Sequence, residues 1–105
     1  DGYQAKPITQ ATCGRVAAFL DNLPSWMSAP EIVPEADGEI AIEWYRAKDQ
    51  TFSISVAENG PLHYAGLFGR DEEVHGVEPF ADSVPIRLLA FISEFLNRPA
   101  ARRCA

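Results

Sequence analysis

Glu39-Ile40-Ala41-Ile42-Glu43-Trp44-Tyr45, a turn at 46–50, and Thr51-Phe52-Ser53-Ile54-Ser55-Val56 decide the fold of this 105-residue chain. Apolar residues take every second position in both runs. Successive side chains of a strand point to opposite sides of the pleat, so this period of two marks strands with one buried and one wet face. Ile40, Ile42 and Trp44 make one inward row, and Phe52, Ile54 and Val56 the next. Two such runs joined by a few polar residues read as antiparallel neighbours.

Working outward, Glu58-Asn59-Gly60-Pro61 holds the residues of a tight hairpin, and 62–68 follows as a third strand. Gly66 and Gly69 allow a bulge or a close backbone approach at its far end. Asp71, Glu72 and Glu73 read as a turn, and 74–80 as a short edge strand. Upstream, Val16, Phe19, Leu20 and Leu23 fall on one face of a helix that Thr9 caps and Asn22 and Pro24 end. The 24–37 segment holds three prolines and reads as an extended, semi-rigid strap, with Trp26 as its anchor in the core. Downstream, Asp82 or Ser83 is placed to cap a second helix with Pro85 in its first turn. Leu88, Leu89, Ile92, Phe95 and Leu96 form its apolar stripe, and Pro99 ends it.

Both helices need an apolar face to cover, and the sheet offers one. The expected fold class is therefore α+β: an N-terminal helix, a three- to four-stranded antiparallel meander, and a C-terminal helix packed on one sheet face in two layers. A single domain spans 1–105, with 1–8 and 99–105 as flexible ends. At this length and 47% hydrophobic content, one core suffices without staples. Cys13 and Cys104 stand far apart, in no metal-knuckle or redox spacing. A single bridge between the ends is geometrically open, but two free thiols suit a reducing cytoplasm, the expected location. No apolar run approaches the ~20 residues of a membrane helix, and no leader pattern is present. The chain opens at Asp1 rather than methionine, which leaves room for residues trimmed before it, a cleaved secretory leader among them.

Charge is unevenly spread. Twelve of the fifteen acids lie between Glu31 and Asp82, against only Arg46, Lys48 and Arg70. The strand region thus carries −9 and the flanks +3, for a total of −6. Such a field steers association with a basic partner and repels nucleic acid.

Chemistry-bearing motifs are few. His75-Gly76-Val77-Glu78 sets two metal-capable side chains three apart, with His63 brought near if the third and fourth strands pair. On a strand, positions three apart face opposite ways, so this spacing disfavours a shared ion. Cys13 has no histidine beside it and no position at a helix N-terminus to activate it. No Gly-x-Ser-x-Gly elbow surrounds Ser53 or Ser55, and the acids at 71–73 would repel a phosphate at the nearby glycines. What remains is a surface: Glu39, Glu43, Tyr45, Ser53, Ser55 and His63 share one sheet face with Thr51, as a partner-binding patch would. A solvated face whose charges keep strands from aggregating gives the same pattern.

Pro30-Glu31-Ile32-Val33-Pro34, Asp37-Gly38-Glu39-Ile40-Ala41-Ile42-Glu43-Trp44, Tyr64-Ala65-Gly66-Leu67-Phe68-Gly69 and Gly76-Val77-Glu78-Pro79-Phe80 resemble a group of short bacterial proteins of unassigned function, often found on mobile or accessory DNA near toxin or defence genes. The resemblance covers residues 29–91. It implies a small accessory protein and carries no residue roles.

The leading expectation is a non-enzymatic acidic protein that binds and neutralises or regulates a basic protein partner, of the antitoxin, immunity or anti-defence inhibitor type. It needs no cofactor or metal and binds neither nucleic acid nor membrane. The competing expectation is a small enzyme or ligand- or metal-binding protein built on His63, His75 and Glu78. A fragment of a longer chain is a third.

Overall fold

The structure is a computed structural model that describes residues 5–99. Two helices, α1 (Gln10–Asp21) and α2 (Ile86–Asn97), flank five strands: β1 (Glu31–Pro34), β2 (Ile40–Ala47), β3 (Gln50–Val56), β4 (Leu62–Gly69) and β5 (Glu72–Glu78). All neighbours pair antiparallel, and the sheet order follows the chain. The α+β class and the meander stand; the strand count is five, not three to four. Of the expected flexible ends, 1–4 and 100–105 lie outside the described residues. Within the rest, the Lys6 amide donates to the Ala36 carbonyl at 2.8 Å and Ile8 packs on the core.

The extra strand is β1, which lies inside the proline-rich strap. Asp37 and Gly38 turn the chain back: Gly38 has φ 89°, the Asp37 side chain accepts from the Glu39 amide at 3.0 Å, and the Glu35 amide donates to the Glu39 carbonyl at 2.9 Å. Glu31, Ile32, Val33 and Pro34 then meet Glu43, Ile42, Ala41 and Ile40. Pro34 is tolerated because β1 is an edge strand. A second correction concerns the anchor of the strap. Trp26 is 60% exposed, and its neighbour Met27 is the buried residue. The last hairpin also turns earlier than expected, at Arg70-Asp71, so β5 begins at Glu72. Pro85 sits immediately before α2, and no side chain caps that helix.

Even-numbered strand residues face the helices. Ile40, Ile42, Trp44, Phe52, Ile54, Val56, Leu62, Tyr64 and Phe68 meet Val16 and Phe19 of α1 and Leu88, Ile92 and Phe95 of α2 in one core. Phe52 lies at its centre, with the Tyr64, Phe68, Phe91 and Phe95 rings 6.1–6.4 Å away. Two strand glycines make room for these rings. Gly66 pairs directly with Phe52 and Gly76 with Tyr64. A Cβ at Gly66 would lie 2.5 Å from the Phe52 ring, and one at Gly76 2.6 Å from the Tyr64 hydroxyl. Each ring thus covers the backbone that a cross-strand side chain would otherwise shield. Full burial of each large side chain contributes about 1.5–3 kcal/mol.

Polar side chains fasten the helix ends. Arg15 of α1 reaches the carbonyls of Ala57 (2.8 Å), Gly60 and Phe80, tying the helix to the β3–β4 turn and to the chain before α2. Arg46 of β2 donates to the Phe95 (3.0 Å) and Arg98 carbonyls, satisfying acceptors that the end of α2 leaves open. Arg98 in turn holds the Phe68 carbonyl and pairs with Glu72 (2.6 Å) and Glu94 (2.8 Å).

Candidate functional site

Because both helices cover the even-numbered face, the odd-numbered face is left to solvent. Cross-strand register sorts it into rows: Glu31, Glu43, Ser53, Ala65 and His75; then Val33, Ala41, Ser55, His63 and Val77; then Tyr45, Thr51, Leu67 and Glu73. Neither lysine nor arginine appears in these rows. Carboxylates, small hydroxyls and two histidines share the face with exposed Tyr45, Leu67 and Val77. Glu43, Tyr45, Ser53, Ser55 and His63 fall together as the alternation places them. Glu43 and Ser53 touch across the strands at 3.5 Å.

Glu39 stands just outside these paired rows. It precedes β2 and belongs to the end of the sheet where Glu35, Asp37 and Glu58 cluster in the β1–β2 and β3–β4 turns. Burial, then the charges of Asp37, Glu39 and Glu43, push the Glu35 carboxyl above its ordinary value of 4.5. These neighbouring carboxylates are therefore close enough to disfavour the ionisation of Glu35. The strand region's own bases are placed differently: Arg46 is spent on the end of α2, and Lys48 and Arg70 occupy the turns at the opposite end of the sheet.

The second candidate constellation divides between the two faces. His63 and His75 are diagonal neighbours on the open face, since His63 opposes Val77 and Ala65 opposes His75. Glu78 opposes Leu62, lies on the helix-covered face, and is bound to Arg87 at 3.2 Å. Among the described residues, no group of three His, Cys, Asp or Glu is arranged to hold a metal ion. Cys13 is exposed on α1, while Cys104 lies outside the described residues.

One feature of the site is absent from the sequence pattern. β2 runs on past the start of β1, and over this unpaired stretch the 26–29 segment and the end of α2 enclose an open groove of about 560 Å³. Trp26, Glu31, Glu43, Trp44 and Tyr45 contribute to its walls. The Trp44 indole N–H donates to the Ser28 carbonyl at 2.8 Å, which fixes the segment that carries Trp26. Glu31 joins the site only through the β1 register, and the Asp37-Gly38 turn was the sequence signal for it. Comparisons with protein-family models, with curated proteins and with solved structures give no match.

Proposed function

We propose that this protein is a non-enzymatic acidic binding protein that captures a basic protein partner through the open sheet face and thereby neutralises or regulates it. The observation that carries the reading is the absence of lysine and arginine from every row of that face, where Glu31, Glu43 and Glu73 stand beside exposed Tyr45, Leu67 and Val77. Carboxylates around exposed aromatic and aliphatic groups suit a cationic surface: charge accelerates encounter and apolar contact holds the complex. The antitoxin, immunity and anti-defence inhibitor classes fit such a protein, and so does a cytoplasmic setting. No helix among the described residues is long and apolar enough to cross a membrane. The same acidic field argues against direct contact with nucleic acid, whose phosphates need clustered bases.

The test is site-directed crosslinking in the source cell, with a photoreactive residue replacing Tyr45 or Ser53. The expected product is one protein with a strongly basic surface, lost when Glu43 is changed to Lys. Crosslinks to nucleic acid, or only to acidic proteins, would contradict the proposal.

A further inference from the structure

We infer that the groove beside the β2 overrun seats a single arginine side chain of the partner; this rests on the proposed capture of a basic protein and names the contact that anchors it. Four observations converge. Glu31 and Glu43 are direct cross-strand partners, and like charges so placed destabilise a sheet. Among the described residues neither carboxylate has an ion-pair partner, and Arg46, the cation on the same groove, is turned to the carbonyls of α2. Trp26 and Tyr45, 60% and 67% exposed, both line this groove. Finally, the groove has the volume of a small-ligand site, enough for one long side chain and its flanking backbone.

These features select among cations. Two carboxylates fall well short of the six to eight oxygens that a calcium ion gathers, so a hard metal is poorly served. An organic cation needs fewer charges and gains from the aromatic rings, whose faces attract positive charge. Guanidinium fits better than ammonium. It is planar, forks to carboxylate oxygens through paired N–H donors, and stacks on a ring while doing so. An arginine would relieve the repulsion between Glu31 and Glu43 that the free protein carries.

Two properties of the free protein follow. Glu31→Gln should leave folding intact or raise the thermal midpoint, because it removes a like-charge pair, yet it should weaken binding. A carboxylate with a merely structural role would instead lower the midpoint when it is neutralised.

The test titrates the protein with an end-blocked peptide carrying one arginine among glycines and serines, and with its lysine and citrulline counterparts, up to tens of millimolar. The Trp26 indole N–H resonance is followed, assigned with Trp26→Phe. The arginine peptide should shift it saturably, the lysine peptide more weakly, and the neutral citrulline peptide not at all. Glu31→Gln should weaken the arginine response about tenfold, the loss of one charge-assisted contact. A citrulline response equal to that of arginine, or an unmoved Trp26, would overturn the inference. If the arginine peptide shifts only residues around Ser53, Ser55 and His63, the groove is refuted while capture of a basic partner survives. If no cationic peptide shifts any resonance and association with the crosslinked partner ignores salt, both readings fall.

Discussion

The two faces of one sheet carry opposite chemistry within the same strands. In β3, Phe52, Ile54 and Val56 are fully buried under the helices, while Thr51, Ser53 and Ser55 between them remain partly open. The covered face is a continuous aromatic and aliphatic core in which even the glycines are shaped to the rings above them. The open face keeps like charges opposite each other and exposes an aromatic ring and two aliphatic side chains. On the proposed reading, stability belongs to one face and recognition to the other. Changes to the covered face should unfold the protein, whereas changes to the open face should leave it folded but alter what it binds.

Trp44→Ala should show the largest effect. It empties a nearly buried site and removes the hydrogen bond to Ser28, at a cost of about 3–5 kcal/mol. Urea denaturation measures it, and an unchanged midpoint would reverse the assignment of faces. Gly66→Ala adds only a methyl group but drives it into the Phe52 ring, and overpacking of this kind costs about 1–3 kcal/mol. A Gly66→Ala variant as stable as the parent would show that the core is loose around Phe52.

On the open side, Ser55→Ala should change stability by no more than about 0.5 kcal/mol, the usual range for a surface site. A larger loss would make this face structural as well. Smallest is the effect of pH at the acidic end of the sheet. The Glu35 carboxyl is raised, so the folded protein keeps this proton to a higher pH than the unfolded chain does. Its contribution is full below the ordinary carboxylate value and is lost as pH rises through the raised one. Thermal midpoints across that window should therefore decline with pH, and Glu35→Gln should flatten the decline. An identical slope in the variant would mean that neither desolvation nor the charges of Asp37, Glu39 and Glu43 raise this carboxyl.

The division of faces was legible in the sequence because strand alternation is strict in β2 and β3: the period that buries Ile42 and Trp44 also exposes Glu43 and Tyr45. What escaped the sequence lies where no period operates. β1 is only four residues long and bracketed by Pro30 and Pro34, and prolines argue for a strap unless the strand is known to be an edge. Trp26 and Met27 are adjacent in an irregular segment, so nothing in the pattern says which of them turns inward. The bulkier residue was the natural anchor, yet the flexible methionine fills the site. The groove depends on how far β2 overruns β1, a register property that the Asp37-Gly38 turn determines and the 24–30 segment completes. Glu39 stands one residue before the β2 ladder, where its carbonyl accepts from the Glu35 amide and closes the 36–38 turn.

The central claim, that one face folds the protein and the other recognises a basic partner by charge, is tested most directly with Glu43→Lys. Two quantities are read on the same sample: the thermal midpoint, and the association rate with the crosslinked partner across a series of salt concentrations. The midpoint should stay close to that of the parent. The rate should fall about tenfold at low salt and converge with the parent's as salt rises, since the screening length shortens to about 8 Å at physiological ionic strength. A parent rate that ignores both salt and the charge reversal would contradict the account and leave the acids as solvated side chains with no part in recognition.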